Sequence, residues 1–324
     1  MAHMIQVRQT GGPERLEWVP VAVGDPGEGQ VRLRQTAIGL NFIDVYYREG
    51  TYAAERPFVP GLEAAGVVEA VGPGVPDVKT GDRVAYAAPP LGAYATERLM
   101  PADRLVALPD GITDEQAAAM MLKGMTAWYL LRRTHEVRPG EPVLFHAAAG
   151  GVGLIAGQWG KALGAVMIGT VGSAAKVEQA KDAGYDHVID LSREDLVARV
   201  RDLTGGEGVP VVYDSIGRDT FMRSLDCLRP LGLMASFGQS SGSVESFSPG
   251  LLAQKGSLFL TRPVLNTYTA KRADLVQAAA DLFEVVRSGA VRIRVNQTYP
   301  LAEAARAHAD LQGRRTTGQS VLLP

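Results

Sequence analysis

Short apolar runs cut by glycine and proline fill the first third of the chain, and from Gly140 onward they alternate with stretches of helical period. Ile5 to Gln9, Val31 to Ile38, Ala64 to Val71, Arg83 to Ala87 and Ala93 to Leu99 read as strands, separated by Gly11-Gly-Pro, Asp25-Pro-Gly, Gly72-Pro-Gly and Pro89-Pro. This texture predicts an all-β arrangement of the partly open barrel kind. Thr113-Asp114 leads into Glu-Gln-Ala-Ala-Ala-Met-Met-Leu, a capped helix, and a second helix is expected over Thr126 to Arg133. Met1-Ala-His-Met4 is set aside from this reading.

After Gly140, six strands are expected: Val143 to Ala147, Val166 to Val171, His187 to Asp190, Val209 to Tyr213, Leu233 to Phe237 and Ser257 to Thr261. Helices start between them from Gly153, Ser173, Ser192 and Asp219, with Ser192 and Asp195 resembling a capping box. The alternation predicts an α/β fold, a doubly wound parallel sheet with helices on both faces. Past Pro263 it ends. A helix over Arg272 to Ser288, a strand near Val291 to Val295, a helix over Leu301 to Leu311 and a strand over Ser320 to Leu323 are expected to return to the first domain, leaving the nucleotide domain as an insertion with the chain termini close together.

The 324 residues are 46% hydrophobic, enough to fill two cores, and carry a formal net charge of −2 without a long run of one sign. That balance argues against nucleic acid or an anionic membrane as the main partner. No apolar stretch reaches the roughly 18 residues of a membrane span and no signal pattern opens the chain, so a soluble cytoplasmic protein is expected. The one cysteine, Cys227, sits in a helical pattern and reads as a core residue; the five histidines show no ligand spacing with one another or with it, so no metal site is expected.

Phe145-His-Ala-Ala-Ala-Gly-Gly-Val-Gly153 joins a strand to a helix, the setting of a dinucleotide fingerprint. Ala148, Gly150 and Gly153 fill its three glycine positions, so the first is missing. Gly150 lets the backbone approach a pyrophosphate, Gly153 lets helix and strand pack closely, and the helix's first N–H groups face the anion. The second strand ends in Thr170-Val-Gly-Ser-Ala-Ala-Lys176, with no acid for a ribose 2′-hydroxyl. Gly172 leaves room, and Ser173 and Lys176 can hold a 2′-phosphate, which favours NADPH; Ser173 as a mere cap and Lys176 as a solvated charge is the alternative. The fourth and fifth strands end in Tyr213-Asp-Ser-Ile-Gly217 and Phe237-Gly-Gln-Ser-Ser-Gly242, polar and glycine-rich where a nicotinamide would lie, and Arg262 follows the sixth. Gly238 to Gly242 also matches G-x-S-x-G, with Ser240, Asp274 or Asp281, and His308 in hydrolase order, but a polar, proline-ended stretch follows in place of the required helix.

Ala147-Ala-Ala-Gly-Gly-Val-Gly153, Asn41-Phe-Ile-Asp44, Gly61-Leu-Glu63, Tyr213-Asp-Ser-Ile-Gly217 and Thr261-Arg-Pro263 together resemble the zeta-crystallin-type quinone oxidoreductases of the medium-chain dehydrogenase superfamily, across essentially the whole chain. The resemblance implies a six-stranded Rossmann sheet inserted into a GroES-like partly open barrel. Residues 1–123 would be the first part of the substrate domain, 124–262 the NADPH-binding domain and 263–324 the return. Asn41 and Leu62 stand where zinc alcohol dehydrogenases carry metal-binding Cys and His, and the cysteine-rich zinc lobe is missing, which implies chemistry without zinc.

By the same resemblance, NADPH is the cofactor and quinones the substrates, in a cleft between the domains. Asn41, Tyr46, Tyr52 and Arg262 would serve the reaction. Asn41, Asp44, Lys123, Thr126, Tyr129, Ala149, Gly150, Gly151, Val152, Gly153, Thr170, Gly172, Ser173, Lys176, Ser215, Phe237, Gly238, Ser240, Leu260, Arg262 and Arg314 would meet the cofactor. A homodimer paired through Ser257 to Thr261 is implied as well. Where relatives often carry Asn-Tyr after the third strand this chain has Asp190-Leu191, which weakens the expected NADPH preference. Enone or enoyl-thioester reduction, and an NADPH-binding protein without catalysis, are the alternatives.

Overall fold

The chain opens on an antiparallel ribbon, β1 (Ala2–Gln6) with β2 (Glu17–Val21). Ala2 and Ile5 are buried, so the first residues, set aside from the sequence, belong to the fold. β1 stops short of the expected Gln9, where Val7 bridges Phe58. β2 escapes a sequence reading because it is largely exposed and contains Pro20, which has no ladder N–H.

The computed structural model describes residues 1–324, and the rest of its first unit is built on β3 (Gln30–Gly39). Val31, Leu33, Gln35 and Ala37 are buried on alternate positions, the period-2 signature of a strand with one covered face. After it come α1 (Phe42–Glu49), β4 (Glu63–Val71), β5 (Arg83–Ala87), β6 (Glu97–Pro101) and β7 (Val106–Ala107). β3 pairs antiparallel with β4 and β6, β4 with β5, and β5 with β7. β6 begins later than the expected Ala93, because the residues before it turn to β1, Ala95 bridging Met4 and Tyr94 and Thr96 bonding Ile5 and His3, while the carbonyls of Ala93 and Ala95 also accept from the buried Gln35 side chain. α2 (Asp114–Tyr129) runs straight into a π-helical turn over Leu130–Thr134, so the expected second helix is a continuation of the first.

The second unit, Thr126–Tyr268 with Ser288–Arg292, alternates as expected. Its order is β8 (Pro142–Phe145), α3 (Gly151–Ala162), β9 (Val166–Val171), α4 (Val177–Asp182), β10 (His187–Asp190), α5 (Leu196–Leu203), β11 (Val209–Asp214), α6 (Phe221–Cys227), β12 (Leu228–Ser236), α7 (Gly250–Gln254), β13 (Phe259–Thr261) and α8 (Leu265–Tyr268). The six strands form a wholly parallel sheet in the order β10-β9-β8-β11-β12-β13, so the winding reverses between β8 and β11. This is the doubly wound, Rossmann-type sheet, and ligands in such sheets bind at the strand ends by that reversal. α3 lies close to it through a glycine face: a Cβ at Gly157 would stand 2.4 Å from the Tyr185 ring, and one at Gly160 2.4 Å from Met167 Sδ. Asp195, not Ser192, caps α5, accepting from the Ala198 N–H at 2.8 Å. Cys227 lies in this unit's apolar core, its thiol pushed up to about 12 by burial.

The chain then returns to the first unit with α9 (Arg272–Arg287), β14 (Val295–Pro300), α10 (Ala304–Gln312) and β15 (Gln319–Leu323). β15 pairs antiparallel with β3 and parallel with β14, closing the seven-stranded sheet with the last residues of the chain. The strand expected near Val291 starts only at Val295, where the register with Gln319 begins. Gly124, within α2, is where Leu282 of α9 packs, 2.5 Å from the place a Cβ would occupy. No helix is long and apolar enough to cross a membrane.

Candidate active site

The turn after β8 shows why its first fingerprint glycine is dispensable. Ala147 takes the left-handed backbone, φ 54°, and Ala148 does not. The Ala148 methyl fills space left by Gly169 on β9, where a Cβ would come within 2.7 Å of it. Gly153 has no such freedom, since a Cβ there would meet the carbonyl oxygens of Ala147 at 2.3 Å and Ala148 at 2.7 Å. Gly150 is the N-cap of α3, and Gly151, Val152 and Gly153 are its first turn, whose N–H groups suit an anion. Ala149 is buried just before them.

At the end of β9, Thr170 is 1% exposed and held through its side chain. His146 lies between Thr170 Oγ1 and Ser224 Oγ, 2.9 Å from each. Ser224 gives its hydroxyl proton to Asp214, so the imidazole must donate through Nε2 and accept from Thr170 through Nδ1. Burial, opposed by Asp214, holds this histidine below its ordinary value and neutral. Beyond Thr170, Gly172 is exposed, with nothing within 4 Å of the place a Cβ would occupy. Ser173 stands at the N-cap position of the turn Ala174–Lys176 without a side-chain capping bond, and Lys176 is half-buried beside it. The acid that ends β10 is bonded locally: Asp190 Oδ1 accepts from Ser192 N at 3.0 Å and Oγ at 2.7 Å, and these bonds hold its carboxyl low. Space, hydroxyl and ammonium thus suit a phosphorylated ribose.

Ser215, Phe237, Gly238 and Ser240 come together past β11 and β12. Ser240 N donates to the Ser215 carbonyl, and a Cβ at Gly238 would stand 2.6 Å from that oxygen. No helix follows Ser240 until α7, and both ring nitrogens of His308 are engaged by Arg48 and Tyr94, so the hydrolase-like order of residues makes no triad. Arg262 donates to the Ser236 carbonyl at 2.8 Å, and Leu260 is an exposed β13 residue. Tyr129, against whose ring Tyr268 stacks at 4.5 Å, is buried and its phenol is raised by desolvation; Thr126, one turn earlier, is also buried.

In the first unit, Asn41, Asp44 and Lys123 converge. Asn41 is the N-cap of α1, and Asp44 three residues on accepts the Asn41 N–H at 2.9 Å. The Asn41 side chain donates from Nδ2 to Glu63 at 2.7 Å, and the buried Lys123 ammonium sits 3.3 Å from the same oxygen. Asp44 is fully buried, and desolvation pushes its carboxyl up to about 7 against its bonds to Asn41 and Tyr94. Tyr46 and Tyr52 pack edge to face at 5.3 Å, with Phe42 and Tyr47 extending the aromatic cluster. Arg314 does not join this group; it is exposed on a left-handed backbone, φ 57°, after α10.

Tyr94 and Arg48, behind Asp44, were not singled out from the sequence, and His308 and Glu63 were named only in a hydrolase-like order and in a family motif, neither as a partner here. Only the charge of Glu63 at the head of the apolar run Ala64 to Val71 hinted at a buried partner.

Two family models match, one described as a zinc-binding dehydrogenase over residues 151–282 and one as an alcohol dehydrogenase GroES-like domain over residues 27–110. A quinone oxidoreductase of Pseudomonas aeruginosa is 54% identical over 327 residues, covering 100% of both chains. A 2-haloacrylate reductase of a Burkholderia species is 49% identical, with 98% of each chain covered. The structure of Escherichia coli quinone oxidoreductase complexed with NADPH superposes with a TM-score of 0.98 at 51% identity, covering 99% of this chain and 100% of that one. With identity above one half sustained from end to end and both units matched, the chain belongs to the quinone oxidoreductase family of the medium-chain dehydrogenases and reductases.

Proposed function

We propose that this protein is an NADPH-dependent reductase of quinones that works without zinc. The observation that carries the cofactor assignment is the opening after β9: an exposed Gly172 with free space around it, Ser173 and Lys176 beside it, and an Asp190 committed to its own turn. Gly150 to Gly153 would hold the pyrophosphate, and Ser173 with Lys176 the 2′-phosphate. Ser215, Phe237, Gly238, Ser240, Leu260, Arg262, Thr126 and Tyr129 would surround the rest of the cofactor in the second unit, and Arg314 would add a guanidinium to its phosphates.

When bound, NADPH supplies two electrons as a hydride from its nicotinamide. Asn41 has one N–H engaged by Glu63 and its side chain turned to the Asp44 backbone N–H in the capping box of α1, and it keeps its second N–H for the ligand. A hydrogen bond from this amide to the acceptor's carbonyl oxygen stabilises the charge that develops there. The cation in this group is the Lys123 ammonium, and no three His, Cys, Asp or Glu side chains converge as a metal-ligand set. Tyr46 and Tyr52 offer flat apolar faces to a planar ring.

NADPH oxidation followed at 340 nm with 1,4-naphthoquinone tests the proposal; no turnover with any of several quinones rejects it. The identity to a 2-haloacrylate reductase favours activated alkenes as a second reading, and 2-chloroacrylate and crotonyl-CoA in the same assay separate the two. We place the protein in the cytoplasm as a homodimer. β13 is a sheet edge whose Phe259 is 60% exposed, with Leu260 and Val264 exposed beside it, an apolar patch suited to a second copy. A monomeric mass by light scattering would rule this out.

A further inference from the structure

Glu63 lies at the first residue of β4 and is completely buried, yet it is an acid among alanines and valines. Burying a carboxylate is costly unless every lone pair is used. Here three donors meet it: Asn41 Nδ2 at 2.7 Å and Lys123 Nζ at 3.3 Å on Oε2, and the backbone N–H of Leu122 at 2.7 Å on Oε1. The neighbouring backbone is shaped to admit it. Gly39, at the end of β3, is the residue in front of Oε2, and a Cβ there would stand 2.1 Å from that oxygen and 2.4 Å from the Ala118 carbonyl. β3, β4 and α2 therefore meet around one carboxylate.

This arrangement fixes an ambiguity in Asn41. An asparagine amide can turn over and exchange its donor and acceptor ends, and only its partners decide. A carboxylate accepts and never donates, so it pins Nδ2 on its own side, the amide oxygen then faces the Asp44 N–H of the capping box, and one amide N–H is left for the ligand. The same charge keeps the Lys123 ammonium in a buried place it would otherwise vacate. We infer that Glu63 is a positioning residue for the reduction, acting through Asn41 by setting the orientation of its amide. This inference rests on the proposed reading of the site, in which Asn41 meets the ligand.

Glu63→Gln preserves the shape and supplies a donor where only acceptors fit, since one end of its amide must face either the Asn41 amide or the Leu122 N–H. The expected result is a kcat with 1,4-naphthoquinone lowered roughly 10-fold or more, a change in line with losing a charged hydrogen bond. The decisive readout is coupling. In Asn41→Ala protein, where there is no amide left to orient, adding Glu63→Gln should lower kcat less than about 3-fold further, because residues that act as a unit are not additive. Losses that multiply, or a folded Glu63→Gln variant within about 2-fold of wild type, overturn the inference. Should Glu63→Gln fail to fold, Glu63→Asp keeps the charge for Lys123 while drawing the carboxylate back from Asn41. A fall in kcat at an unchanged melting temperature supports positioning, and wild-type kcat refutes it. Absence of NADPH oxidation in the wild-type protein itself would instead refute the functional reading on which the inference rests.

Discussion

Tyr94 donates its hydroxyl to Asp44 Oδ2 at 3.1 Å, the same oxygen that takes the Asn41 N–H. Behind Tyr94 stands His308, its Nε2 2.9 Å from the phenol and its Nδ1 3.3 Å from Arg48. A guanidinium can only donate, so Nδ1 accepts, the ring proton sits on Nε2, and every bond in the row points toward Asp44. Asp44 Oδ1 is buried with no partner. Two titrating groups with opposite pH behaviour are thus wired together.

For Asp44 the folded carboxyl is raised to about 7, from about 3.9 in an unfolded chain. Between those values the folded protein holds more protons than the unfolded one, so stability from this group is full below pH 4 and is lost as pH rises through 7. The gap corresponds to about 4 kcal/mol. Asp44→Asn, which keeps an acceptor toward Asn41 and Tyr94, should raise the melting temperature at pH 8 and gain little at pH 4. Equal shifts at both would mean that Asp44 is ionised throughout.

His308 behaves in the opposite sense. Burial first, and Arg48 second, depress it to about 3 from about 6.5. The unfolded chain then binds the extra proton, so stability present above pH 6.5 is lost as pH falls toward 3. A His308→Gln variant should show a flatter loss of melting temperature from pH 6 to pH 4 than wild type. A parallel curve in thermal scans would remove His308 as the source.

Asn41→Ala should lower kcat for quinones roughly 10-fold or more while NADPH affinity changes by less than about 3-fold, because the lost amide acts on charge developing at the acceptor. Steady-state kinetics paired with a fluorescence titration decides this. Unaltered kcat would take Asn41 out of the reaction.

Lys176→Glu should weaken NADPH roughly 10- to 100-fold, the equivalent of a charged hydrogen bond, and leave NADH nearly unchanged. Equal weakening of the two cofactors would refute the phosphate assignment. Asp190→Asn should matter little to that ratio, since the carboxylate is already bound to Ser192.

Gly153→Ala places a methyl 2.3 Å from the Ala147 carbonyl, with backbone rather than a flexible side chain in the way. A destabilisation of about 1–3 kcal/mol is expected, read as a lower melting temperature, with NADPH restoring less of it than in wild type. At Gly150, where the nearest backbone atom is 3.1 Å from the place a methyl would take, the loss should be smaller.

The second unit was largely legible from sequence because its signals are local. Strand, glycine turn and helix follow one another within a few residues, and the alternation continues to β13. Errors fell where side-chain and long-range contacts override the local pattern: residues 94–96 pair with β1, Ala95 bridging Met4, and Asp190, two residues away, engages Ser192 in place of a cap on α5. The fingerprint's missing glycine was likewise undecidable locally, since Gly169 on the next strand makes room for Ala148.

The sequence by itself determined the parallel sheet, the strand–glycine-turn–helix unit after β8, the acid-free end of β9 and the family, because each is written in spacing and short-range residue type. Only the tertiary structure decided that Glu63 joins Asn41 to Lys123, and that Asp44 has Tyr94, His308 and Arg48 behind it. Those partners lie 22 to 260 positions apart. No periodicity reaches that far, and it is burial, by making an unpaired charge costly, that fixes which of them must meet.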